Sequence, residues 1–231
     1  MRKLLKELLT ETYGSKLLPL SFHYARLMEL KTTATWKNTV GFIKRPGVRK
    51  PFLKACFDTL SNKYDYERYS QIVRQDKDFR TISSLLWYQT EQEEREKVQE
   101  IIDLYLITES YIGFMVEEMI GQVAKKQGYR VYQNKVLDLD YKTDLLFNGY
   151  HFQVKNISFL ETSQIENKIK PYIEANKRLY FVFYELQEDD IKLVKIGGKA
   201  FLKAQEINDF TQILPTENIS IEEFVNSTTK K

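Results

Sequence analysis

The chain has 231 residues, 42% hydrophobic and 29% charged, with a net charge of +3: enough for one good core, or for a core with a smaller appended domain. One cysteine, Cys56, rules out a disulfide or multi-cysteine zinc framework, and two histidines, His23 and His151, are too few and too far apart for the usual zinc patterns. Lys6 and Glu7 interrupt what would be the apolar region of a signal peptide, and no run of about 18 apolar residues occurs, so a cytoplasmic protein without a membrane span is expected.

The charge is unevenly spread. Residues 1–80 hold 17 Lys and Arg against 8 Asp and Glu, whereas residues 81–231 hold 18 against 24. A basic first third on an acidic remainder fits a polyanion-binding segment beside a metal-binding carboxylate site, and it also fits a solvated helical surface. Tyr and Phe, at 15 and 14, are abundant; they fill cores and they stack on bases.

Residues 1–100 read as mostly helical. Leu4, Leu5, Leu8 and Leu9 have helical spacing, and TISSLLWYQTEQEEREKVQEIIDLYL is amphipathic and runs into an acidic stretch. A loop is expected at Thr39–Pro51, which holds Gly41, Pro46, Gly47 and Pro51. Lys44, Arg45, Arg49 and Lys50 cluster there, followed by Lys54. Cys56, among Leu53, Ala55 and Phe57, reads as a buried, inert thiol.

Residues 101–200 change character. Thr108 can cap a helix ending at Gly128. Strand-forming YRVYQN, VLDLDYKTDLLF and YHFQVKNIS follow, then a polar helix over about Thr162–Asn176. RLYFVFYEL is apolar enough for a strand buried on both faces, and IKLVKI is a further strand. The order predicts an α/β layer with a mixed sheet. Residues 201–231 read as an extension whose polar tail, after about Thr216, frays.

Asn148-Gly149 is a strong hairpin signal, because a type I′ turn needs positive φ at both central positions. A two-residue turn pairs Phe147 with Tyr150 and Leu145 with Phe152, so Asp144 faces Gln153; Lys155 joins them by the two-residue period. Leu137, Leu139, Tyr141, Thr143, Leu145 and Phe147 then form the core face with Tyr150, Phe152 and Val154. Asp138, Asp140, Lys142, Asp144, His151, Gln153 and Lys155 form the opposite face. On the preceding helix Glu117 borders the stripe of Ile112, Val116, Met119 and Val123. Gly113 and Gly121 lie one turn to either side of it, a spacing that suits close approach to the sheet. Glu118, in line with Phe114, Gln122 and Lys125, faces outward.

GFMVEEMIGQVAKKQGYRV, KTDLLFNG and YHFQVKN, within about Thr108–Glu185, resemble the PD-(D/E)xK, or restriction-endonuclease-like, nuclease superfamily. The resemblance implies an αβββαβ core and a Mg²⁺-dependent nuclease for which Mn²⁺ can substitute. It implies Asp144 as metal-binding aspartate, Lys155 as catalytic lysine and Glu117 as helix carboxylate, with Gln153 as a neutral ligand. Thr143 stands where the motif has proline, and Gln153 where it has an acid, which removes one negative charge. The basic first 100 residues suit a sequence-reading type II restriction enzyme, usually a homodimer on double-stranded DNA, with Lys44, Arg45, Arg49, Lys50 and Lys54 on the backbone. The alternatives are a phage or repair nuclease acting on branched or single-stranded DNA, and a nucleic-acid-binding module inactivated at Gln153.

Overall fold

Residues 18–160, 165–187, 190–209 and 215–229 are described by a computed structural model. The chain is an α/β protein with a mixed six-stranded sheet flanked by helices. It divides into two compact units, the division falling between Met115 and Val116.

The first unit is helical: α1 (Leu18–Lys31), α2 (Ala34–Ile43), α3 (Leu53–Asp58), α4 (Tyr66–Gln75), α5 (Lys77–Gln89) and α6 (Arg95–Asp103). Short polar side chains start three of these helices by accepting otherwise orphaned N–H groups: Thr33 from Trp36, Asp65 from Arg68, and Asp76 from Asp78 and Phe79. The core gathers Ile43, Phe57, Tyr69, Ile82, Ile107 and Tyr111, with the Phe57 ring edge-on to Tyr69 and Tyr111. Cys56 is buried, as its neighbours suggest.

Two expectations for this unit change. The loop is shorter than Thr39–Pro51, because Thr39 and Val40 are buried on α2, which runs on to Ile43. No helix starts at Thr108. A π-helical turn, Leu104–Thr108, carries α6 directly into α7 (Glu109–Lys126), and the buried Thr108 hydroxyl meets the Tyr66 hydroxyl at 2.8 Å instead of capping. The leucine pattern at residues 4–9 lies outside the described residues.

From Val116 the second unit continues along α7 into α8 (Lys135–Tyr141), β1 (Leu145–Phe147), β2 (Tyr150–Asn156), α9 (Ile165–Ala175), β3 (Leu179–Gln187), β4 (Asp190–Ile196), β5 (Leu202–Lys203), β6 (Pro215–Ile219) and α10 (Ile221–Ser227). The strand order is β1-β2-β3-β4-β6, with β5 on β3. β2 and β3 are parallel, a pairing that the crossover through α9 makes possible; the other pairings are antiparallel. Ile169 of α9 packs with Phe181, Phe183, Val194 and Leu202. A second aromatic group joins Phe147 and Phe152 to Phe224 of α10, with ring centres 6.4 and 5.3 Å away. Leu179, Phe181, Val182 and Phe183 are all buried, so β3 is covered on both faces, as RLYFVFYEL predicts.

Three predictions fail here. VLDLDY is the helix α8, not a strand: Asn134 accepts from the Leu137 N–H at its start, and Lys142 ends it in the left-handed conformation, φ 50°. YRVYQN contributes only a single bridge, Tyr132 to Leu146. The alternation of Leu137, Leu139 and Tyr141 against Asp138, Asp140 and Lys142 is therefore not a pair of sheet faces; Leu139 is 49% exposed. The polar tail does not fray at Thr216, because residues 215–219 pair with β4 and a capping box of Ser220 and Glu223 starts α10.

Candidate active site

The hairpin has the predicted register: Phe147 pairs with Tyr150, Leu146 with His151 and Leu145 with Phe152. Asn148 and Gly149 have φ of 49° and 78°, both positive, as a type I′ turn demands. Asp144 follows from that register. Its N–H donates to the Phe152 carbonyl at 2.9 Å, and the Gln153 amide donates to its Oδ2. The same Oδ2 accepts the Val154 N–H at 2.8 Å. Since β1 begins only at Leu145, no β1 carbonyl lies beside that part of β2, and the carboxylate satisfies the amide instead.

Gln153 and Lys155 are level with Phe181 and Phe183 on the parallel neighbour, so they share a face with those buried rings. Polar groups therefore lie on a covered face. Gln153 is 4% exposed, and Lys155 is half-buried, its ammonium 5.6 Å from the centre of the Tyr172 ring of α9. Thr143, in the position of the motif's proline, is buried. Its hydroxyl donates to the Tyr141 carbonyl at 3.0 Å, lies 3.2 Å from His151 Nδ1 and accepts from the Asn176 amide at 3.3 Å. This ties the residue before Asp144 to β2 and to the end of α9.

Glu117 enters from α7 and is 7% exposed. Gly121, one turn on, allows the approach: a Cβ there would stand 3.3 Å from Gln133 Oε1 and 3.5 Å from Leu145 Cδ2. Glu118 lies on a different side of the helix and accepts from Gln122 at 3.1 Å.

The electrostatics bind these groups together. Burial, then the Glu117 charge, push the Asp144 carboxyl well above the usual carboxylate range, against the opposing pull of Lys155 and the Val154 N–H. Burial works against the Lys155 charge, but Asp144, the Tyr172 hydroxyl and Glu117 outweigh it and raise its pKa. Lys155 thus lies in the field of both carboxylates, in a desolvated setting. Among the described residues no group of three His, Cys, Asp or Glu has metal-holding geometry. The oxygen set is two carboxylates and the Gln153 amide, all hard donors of the type Mg²⁺ takes.

Tyr172 and the Val154 N–H were not among the expected site residues. Tyr172 follows Pro171 in a polar helix, and its periodicity marks nothing beyond a half-buried aromatic. Its role appears only when α9 is laid over β2.

The basic residues belong to the first unit. Lys44, Arg45, Arg49 and Lys50 are exposed, and among the described residues no carboxylate pairs with them. Lys44 stacks on Tyr105 and Arg45 on Phe42, at 5.4 and 5.3 Å. Lys54 differs: it is half-buried over Phe57 and Phe114, at 5.5 and 4.8 Å.

Comparison with family models, with curated proteins and with solved structures yields no match. Among the described residues no helix is long and apolar enough to cross a membrane.

Proposed function

We propose that this protein is a divalent-metal-dependent DNA endonuclease of the PD-(D/E)xK, restriction-endonuclease-like type. In its fuller form the reading is a cytoplasmic type II restriction enzyme, acting as a homodimer on double-stranded DNA. The observation that carries the reading is the buried cluster of Asp144, Gln153 and Lys155 at the open end of the hairpin, with Glu117 in electrostatic contact.

Buried charge is costly, and apolar side chains of similar size could fill this face. Retaining two carboxylates, an amide and a lysine there fits a site that must hold a cation and meet a phosphate. Asp144 is the principal metal ligand in this reading, with Glu117 direct or through water and Gln153 Oε1 as a neutral third. A bound Mg²⁺ or Mn²⁺ supplies a more acidic water and a polarised phosphoryl oxygen. Lys155 orients the attacking water or stabilises charge on the pentacovalent phosphate. Gln153 now points its amide nitrogen at Asp144, so ligation by its oxygen requires the amide to turn over.

That orientation also supports a second reading, a nucleic-acid-binding module whose amide fills the cation's place. Incubation with plasmid DNA separates the two. The endonuclease reading predicts cleavage in Mg²⁺ or Mn²⁺ and none in chelator, with discrete fragments for a sequence-reading enzyme. Binding without cleavage in either metal supports the module.

A further inference from the structure

An exposed phenylalanine stands inside the basic loop of the first unit. Phe52 is 73% exposed, while Pro51 before it is buried and Leu53 after it packs on the core. The Leu53 N–H donates to the Pro51 carbonyl at 2.9 Å. Phe52 thus projects into solvent from a backbone pinned on both sides. Arg49 and Lys50 lie within three residues of it, hence within roughly 11 Å.

These cations are exposed and lack carboxylate partners among the described residues. An apolar ring with Arg49 and Lys50 close to it along the chain, and Lys44 and Arg45 at the start of the same loop, offers two chemistries together: a flat surface for a base and positive charge for a phosphate chain. An anionic lipid surface would meet the charge, but one ring is a small anchor for a membrane. An acidic protein segment would leave the ring uncovered.

We propose that residues 44–52 form a contact for single-stranded or locally unpaired nucleic acid, with an unstacked base on the Phe52 ring and the four cations along the phosphates. The choice of nucleic acid rests on the endonuclease reading, and the contact adds an unpaired strand to the duplex of that reading. Stacking of one base contributes about a tenfold change in affinity.

The test uses the full chain in chelator, with a single-stranded oligonucleotide carrying 2-aminopurine, the matching duplex, and vesicles of phosphatidylcholine with or without phosphatidylglycerol. Wild-type protein is expected to bind the oligonucleotide and change the 2-aminopurine emission. Phe52→Ala should bind it about tenfold more weakly, with that emission change abolished, and Phe52→Trp should restore both. Duplex affinity of Phe52→Ala should stay unchanged, which also shows that the variant is folded. Equal affinity and emission for wild type and Phe52→Ala overturn the inference, as does Phe52-dependent binding to phosphatidylglycerol vesicles with none to the oligonucleotide. Plasmid cleavage by a protein whose binding ignores Phe52 sinks this contact and leaves the endonuclease standing. Phe52-dependent binding without cleavage in any divalent metal does the reverse.

Discussion

Lys155 carries its ammonium 5.6 Å from the centre of the Tyr172 ring, and the Tyr172 hydroxyl supports its charge. The strand alone leaves the flexible lysine stem free to choose among rotamers; the ring on α9 gives the ammonium a second restraint beside Asp144. Replacing Tyr172 by Phe should keep the ring and most of the cleavage rate. Tyr172→Ala should remove a cation–π attraction of about 1 kcal/mol, slowing cleavage about fivefold. Single-turnover rates on saturating DNA measure this, and equal rates for Tyr172→Ala and wild type would remove Tyr172 from the site.

Asp144 gives the metal-free protein a pH dependence of known sign. Its folded pKa lies above the unfolded value because burial and then the Glu117 charge disfavour ionisation. Ionising it therefore costs stability as pH rises from the unfolded pKa, about 3.9, through the folded one. Asp144→Asn removes that cost. In chelator it should be more stable than wild type at pH 7–8, with the difference closing below about pH 4, where both side chains are neutral. Urea denaturation at several pH values reads this directly. A constant difference across the range would mean that Asp144 is not the strained acid.

Gln153 donates its amide proton to Asp144, so a carboxylate in its place turns attraction into repulsion. Gln153→Glu should destabilise the metal-free fold by about 1–3 kcal/mol. With Mg²⁺ that stability should be recovered or exceeded, because the third carboxylate strengthens a hard-cation site. Melting curves with and without metal test the pair of effects. Identical shifts in both conditions would show that Gln153 does not face the cation.

The features legible in the sequence are those set by short-range interactions. Asn148-Gly149 fixes the hairpin locally, and with it the registration of Asp144 against Gln153. β3 announces itself by an apolar run too long for one face. VLDLDY misleads because its alternation suits a strand, whereas Asn134 at its start and a left-handed Lys142 at its end close it as a helix. The strand Pro215–Ile219 was missed for the opposite reason. Its PTENI sequence is mostly exposed at the sheet edge, so its ladder to β4 leaves almost no apolar signal. Tyr172 depends on packing α9 over β2, a long-range fact with no local pattern.

The basic loop makes a separate prediction about salt. If Lys44, Arg45, Arg49 and Lys50 contact phosphates, the quadruple alanine variant should flatten the salt dependence of DNA binding, by about 0.9 in log–log slope for each duplex phosphate it no longer neutralises. Its active-site cluster is unaltered, so at low salt and saturating DNA it should still cleave. Binding titrations across salt concentrations check this. An unchanged slope would make these charges a solvated surface, and Lys168 and Lys170 on α9 the next place to look.

Asp144 as the metal-binding carboxylate of an endonuclease is put at risk by one digestion. Plasmid DNA is incubated in Mg²⁺ with wild-type protein and Asp144→Ala side by side, DNA binding being measured on the same preparations. Cleavage by wild type alone is expected, with binding by Asp144→Ala equal or tighter because a charge that repels phosphate is gone. Cleavage by Asp144→Ala at the wild-type rate would contradict this role.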